Sequence, residues 1–428
     1  MKHALSLLAA TVIAATALPA TAHNISPGAP QQGPILLQGG TLYTISDGRI
    51  QGDLLLQDGK ISALGSNISV PADTQIIDIS GHHVYPGLIA LDTTLGIVEI
   101  EAIRATLDSR ETGQVTPEVS THTAFNADSE IIPTIRYNGI THAQVVPQGS
   151  LVNGNSSLMN LDGWNHRDAL TRADVGMHIT WPAVGVSSSP WERRSPKEQR
   201  EAQQQARELL NTTFTTARAY HGAKQAGTQQ REDVRWEAMQ GVFDGSKPVF
   251  VHANDRRQIR QVLSFADEQG IEIVLVGGRD AWYMADELAE RNISVIFGDA
   301  YGLPGRVDEA YDIAFSTPAK LAEAGVDFAI AYPGYWDTRN LAFAAGHAVA
   351  FGLDYDTALY SVTLGPAKLM GVEDQLGSLE VGKSASIVVS KGDILDPLGH
   401  SVEYMFIDGR RVAMTSKQRQ LWEKYGER

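Results

Sequence analysis

The stretch Val84–Ile100, VYPGLIALDTTLGIVEI, carries the reading of the fold. A Pro-Gly turn opens it, an apolar run long enough for one buried strand follows, and the run stops at the polar group Asp92, Thr93, Thr94. A continuous apolar run with no polar alternation is the pattern of a strand covered on both faces, as in parallel sheets. Polar side chains at the end of such a strand are where α/β folds place their chemistry.

Working outward, the segments GITHAQVV, KPVFVHA, IEIVLVGG, ISVIFGDA and VDFAIAYP repeat the pattern, each followed by a helical or loop segment. Strand then helix, repeated, implies parallel strands covered by helices. The helical segments include the long polar run Glu198 to Lys224 and the shorter amphipathic RQIRQVLSFADEQG, DAWYMADELAERN and PAKLAEAG, with Gly or Asn at their ends. The expected architecture is a (β/α)8 TIM-like barrel over residues 86–375, with a doubly wound sheet as the alternative.

On either side of this middle the style changes. From Ile35 onward, and again from Gly377, short strand-length runs are divided by Asp-Gly, Gly-Lys and Lys-Gly-Asp turns. Segments 35–85 and 376–416 are expected to pair into one composite β-sandwich, with 23–34 as a linker and 417–428 as a C-terminal tail.

Residues 1–22 read as a signal peptide: Lys2 and His3 precede an apolar stretch that closes on Ala20, Thr21, Ala22. The apolar core is short for a membrane anchor, and no other stretch is apolar for long enough to span a bilayer. The chain has no cysteine, which excludes disulfides and thiolate chemistry and fits an exported bacterial protein, periplasmic or secreted. The formal charge of −15, with no basic cluster against it, argues against nucleic acid as a partner. A small-molecule ligand or substrate is the expected partner; a homo-oligomer and pairing with a related subunit both stay open.

Taken in order, DGKISALG, VYPGLIALDTTLG, GITHAQVVPQGSLVNGNSSLMNL, KPVFVHAND, TPAKLAEAGVDFAI, ALYSVTLGPAKLMG and VEYMFIDGRRV resemble the amidohydrolase superfamily, in particular its imidazolonepropionase-like branch. The stretch Asp162 to Ser195 matches that pattern least. The resemblance implies a metal-dependent hydrolase of carbon–nitrogen bonds. Its ligands would be a His-x-His on the first barrel strand and histidines on the fifth and sixth, with an Asp on the eighth as base and a metal-bound water as nucleophile.

Laid on those positions, the chain departs from the pattern. Asp92 and Thr94 stand for the His-x-His, His252 for the fifth-strand histidine with Asn254 beside it, Gly277 for the sixth-strand histidine, and Tyr332 near the eighth-strand Asp. Asp92 and His252 are left as metal ligands and Asp337, in the next loop, as a catalytic acid. Asp337 also reads as the cap of a helix start, and Asp280 as a helix N-cap. This set implies at most one weakly held divalent ion, zinc by type, or none. Glu99, Glu101, His122 and Asp128 form a further acidic set with no spacing that brings them together. Asn153, Asn155, Ser156, Tyr301, Tyr335 and Trp336 are candidates for lining a pocket at the barrel mouth, together with Thr94, Asn254, Gly277 and Tyr332. Two readings follow: a hydrolase with an altered centre, or a non-catalytic ligand-binding or partner subunit.

Overall fold

The computed structural model describes residues 26–229 and 231–426. The segment read as a signal peptide lies outside the described residues, and among these no helix is long and apolar enough to cross a membrane.

The chain opens with β1 (Ile35–Tyr43), β2 (Arg49–Gln57), β3 (Lys60–Gly65), β4 (Gln75–Asp78) and β5 (His83–Pro86). After the barrel come β14 (Ile387–Ser390), β15 (Val402–Ile407) and β16 (Arg410–Arg411). The two ends share one sheet in the order β16-β15-β14-β5-β1-β2-β3, with β4 paired to β1. Hydrogen bonding makes this one continuous sheet, not two separately bonded layers. It curls, because Ile61 N–H donates to Lys383 O and Gly382 N–H donates to Ile61 O, both at 2.9 Å, so the β3 edge meets the segment leading into β14. The curl encloses Leu37, Leu54, Leu56, Val84, Ile387 and Phe406, all fully buried. Two of the Asp-Gly turns read from the sequence are left-handed at both residues, with φ of 52° and 76° at Asp58–Gly59 and 49° and 73° at Asp408–Gly409. That is the backbone a two-residue hairpin needs to match strand twist.

The middle forms a second, nearly closed eight-stranded sheet: β6 (Leu88–Thr93), β7 (Ile140–Val145), β8 (Val152–Asn160), β9 (Leu170–Thr180), β10 (Val249–Ala253), β11 (Ile273–Gly277), β12 (Val295–Phe297) and β13 (Phe328–Ile330). The fold is mixed α/β with a TIM-like barrel, and it departs from eight parallel strands at one place. β8 runs antiparallel to both β7 and β9. Only six residues, 146–151, connect β7 to β8, too few for the crossover of a dozen or more that a parallel neighbour requires. The gap between β13 and β6 is bridged by a non-strand segment: Ile330 N–H donates to Ser361 O and Ile89 N–H to Val362 O, each at 3.0 Å.

The barrel interior is packed with Ile89, Leu91, Leu158, Phe250, Val276 and Ile296. Helices cover the outside. The longest, α1 (Pro196–Gln225), starts in a capping box between Ser195 and Glu198 and buries Leu210, Phe214 and Ala217. The next, α2 (Arg256–Gln269), begins with a second capping box, Asp255 with Gln258, and ends on left-handed Gly270. The segment expected as one helix from Asp280 divides into a 3-10 turn, Ala281–Met284, and a short α3 (Ala285–Glu290).

Candidate active site at the barrel mouth

Because β6, β7 and β9–β13 run the same way, their C-terminal ends meet at one mouth. At the end of β6 a bulge between Ala90 and Thr93 interrupts the pairing with β7. Asp92 takes a left-handed φ of 54° there, a conformation that is disfavoured for residues with a side chain and that concentrates at functional sites. The Thr93 hydroxyl donates to Gly334 O and accepts from Thr338 Oγ1 at 3.0 Å, tying this strand end to the loop after β13. The Asp92 carboxylate accepts no hydrogen bond from the described residues. Burial holds its pKa above the ordinary carboxylate value, while charge on nearby His252 acts in the opposite direction.

A chain of buried polar groups runs behind this pair. Asp92 N–H donates to Gln144 Oε1 at 3.2 Å. Gln144 Nε2 donates to Ser156 Oγ at 3.0 Å. Ser156 Oγ lies 2.8 Å from His178 Nε2, and His178 Nδ1 lies 2.9 Å from His252 Nε2. Gln144, Ser156 and His178 are fully buried. The His178 ring stacks on Phe250 with centroids 4.8 Å apart and planes within 10°. Burial, reinforced by repulsion from His252, pushes its pKa well below the usual imidazole value, so it is neutral at pH 7.

Asp92 lies near enough to His252 to feel its charge, and several other candidates are dispersed. Thr94 is buried and lines a cavity of about 740 Å³ with Val98, Arg104, Arg110, Gln148 and Tyr335, and neither Asp92 nor His252 is part of that lining. Asn153 Nδ2 donates to Thr180 Oγ1 at 3.0 Å, and its Oδ1 is buried without a partner among the described residues. Asn155 serves the framework: it donates to Pro117 O at 2.7 Å and accepts from Lys247 Nζ at 2.9 Å. Tyr332 is half-buried, edge-on to Tyr301 at 5.7 Å.

Asp337, expected as a catalytic acid or a cap, does not cap the turn it opens. Its side chain is 62% exposed and 3.5 Å from Arg339, and no side-chain cap bond forms at that helix start. Asp280 does not cap its own 3-10 turn. Instead it accepts from Arg256 N–H of α2 at 3.0 Å and from both terminal nitrogens of Arg306, because its carboxylate is fully buried and needs those donors. The acidic set also stays apart. Glu99 binds Ser129 Oγ and Glu130 N–H, and His122 pairs with Ser120.

A family model described as "Amidohydrolase family" matches residues 316–415. A solved amidohydrolase from Thermotoga maritima is 26% identical, with a TM-score of 0.78, over 89% of this chain and 99% of that one. Together these support the amidohydrolase superfamily. The amidohydrolase tasK of Hapsidospora irregularis is 22% identical over 401 residues. The match spans 84% of this chain but only 39% of that curated relative. A solved molinate hydrolase superposes with a TM-score of 0.53 at 16% identity, over 90% of this chain and 95% of that one, which is a likeness of fold.

The amidohydrolase pattern implies a metal centre at these strand ends, and the residues present do not fit a two-metal one. Thr94 and Gly277 offer no imidazole, and no group of three His, Asp or Glu side chains converges among the described residues. At position 277 the Asn254 side chain takes up the space, since a Cβ there would lie 2.6 Å from its Oδ1, and the φ of 89° disfavours any side chain. Two residues at this mouth, Gln144 and His178, were not singled out from the sequence. His178 lies in VGMHIT, where Gly176, His178 and Thr180 alternate onto one face, and that alternation was the available signal.

Proposed function

We propose that this protein is an exported member of the imidazolonepropionase-like branch that hydrolyses a carbon–nitrogen bond of a small polar molecule. In this reading the usual two-metal centre is lost and Asp92 with His252 supplies the acid–base chemistry. The observation that carries it is the unengaged Asp92 carboxylate, held by a left-handed backbone beside His252 at the barrel mouth. A carboxylate with a raised pKa can take a proton from water as its oxygen adds to the carbonyl carbon, and return it to the nitrogen as the carbon–nitrogen bond breaks. The superfamily likeness supports a hydrolase; export, branch and substrate bond come from the sequence reading.

A second reading, a non-catalytic barrel that binds a ligand or a related subunit, is favoured by Asn254 filling the space over Gly277. One experiment separates the two. The purified full-length chain is assayed for bound metal and for hydrolysis of a panel of small linear and cyclic amides, with and without added zinc. Turnover at substoichiometric metal that Asp92→Asn and His252→Gln each abolish is the expected result. Stoichiometric zinc released by His252→Ala would overturn the metal-free acid–base reading, and a blank panel under both conditions would favour the non-catalytic one.

A further inference from the structure

The direction of the buried hydrogen-bond chain is set by its first member. Asp92 N–H is a backbone donor and has no other role, so the Gln144 atom facing it at 3.2 Å is the carbonyl oxygen. The amide nitrogen of Gln144 then faces Ser156 and donates to its Oγ. Ser156 has one hydrogen left to place, and its remaining partner among the described residues is His178 Nε2 at 2.8 Å. Donating there makes Nε2 of His178 an acceptor. A neutral imidazole with an acceptor at Nε2 carries its proton at Nδ1, which points at His252 Nε2 from 2.9 Å.

The reverse order fails on satisfaction. Were His178 to donate from Nε2, the Ser156 hydroxyl hydrogen would be buried with no acceptor, at a cost of about 1–3 kcal/mol. Ser156 and His178 are fully buried, so bulk water does not reach that hydroxyl.

We propose that His178 is a positioning residue which, held by Ser156 and Gln144, fixes His252 in the tautomer protonated at Nδ1 with its Nε2 lone pair occupied. His252 then has an N–H to offer a molecule at the mouth and no free lone pair for a metal ion or a substrate proton. Under the hydrolase reading above, on which only this consequence rests, His252 donates to the carbonyl oxygen and Asp92 moves the proton. The tautomer itself does not depend on there being a substrate.

The test is long-range proton–nitrogen correlation NMR on the full-length chain carrying nitrogen-15 histidine, above pH 7, with the His252 ring identified by its loss in His252→Gln. The expected result is a pyrrole-type Nδ1 and a pyridine-type Nε2 for His252. A pyrrole-type Nε2 on His252 in the unaltered protein overturns the proposal, whatever the hydrolase assays show. Gln144 Nε2 also lies 3.4 Å from His178 Nε2, so Ser156→Ala combined with Gln144→Leu removes both groups that donate toward that nitrogen and is expected to move His252 toward the Nε2-protonated form. An unchanged His252 pattern in a folded double variant also overturns the assigned chain. Should that variant not fold, the unaltered protein still decides.

Discussion

Gly176 on β9 is the narrowest point behind the candidate site, and substituting it gives a worked test of how that site is held. A Cβ at 176 would lie 2.1 Å from Phe250 Cε2, 2.4 Å from Cδ2 and 3.0 Å from Pro248 O. Carbon pairs pack at about 3.5–4.0 Å, so in Gly176→Ala the ring must retreat by more than about 1 Å. It has nowhere easy to go, since Phe250 is fully buried in the barrel and one face carries the His178 ring. The φ of Gly176 is not left-handed, so the cost is steric overpacking, about 1–3 kcal/mol. Phe250→Leu alone should cost about 1–1.5 kcal/mol, the upper range for a swap that roughly keeps volume. Together the two should cost less than their sum by about 1 kcal/mol, because the smaller side chain vacates the space the new methyl needs. Equilibrium urea unfolding, followed by tryptophan fluorescence and circular dichroism with coincident transitions, gives the four values of the cycle. A Gly176→Ala protein as stable as the parent, or costs that add within about 0.5 kcal/mol, would refute the packing argument.

Two further outcomes follow from buried charge. His142 on β7 is fully buried, and burial lowers its pKa to about 4. Its unfolded value is near 6.5, so the unfolded chain binds the extra proton first and stability falls as pH drops from about 6.5 to about 4. The loss is of order 3 kcal/mol; urea midpoints across that window should show it, and His142→Asn should flatten the slope. Asp162, fully buried, accepts from Arg136 at 2.7 Å and from Gly28 N–H, so Asp162→Ala leaves a buried guanidinium unpaired and should cost about 3–5 kcal/mol. Asp337→Ala, at a pair that is mostly exposed, should change stability by less than about 1 kcal/mol in the same assay.

Much of the barrel was legible because apolar runs such as Leu88–Leu91 and Ile273–Val276 are buried on both faces and show it in composition. The reversed strand β8 was not, since VNGNSSLMN is polar by composition yet buried along its whole length, with Asn153, Asn155 and Ser156 hydrogen-bonded to other protein groups. Hydropathy alone does not see such a strand. At the site, Asp92 and His252 were singled out by the resemblance to the amidohydrolase strand motifs. His178 escaped because its role depends on which ring nitrogen meets a residue on the neighbouring strand, which is a matter of three-dimensional register. Asp337 was read from its place after the eighth strand, and sequence does not show that its side chain is mostly exposed beside Arg339.

The curled terminal sheet has a consequence for the order in which the molecule can form. Strand β5 is complete early in synthesis, yet its partner β14, which pairs Ile387 with Pro86, emerges about 300 residues later. Closing a loop of that length carries an entropic penalty of roughly 5 kcal/mol if the intervening chain is unstructured. The barrel lies wholly within that loop, so prior folding of the barrel shortens the search and brings the two ends within reach. A ribosome-bound chain stopped before Ile387 is therefore expected to leave β1 to β5 unable to complete their sheet. Residues 387–411 then serve as the closing strap for residues 35–86, and truncating them would be felt about 300 positions away in the sequence.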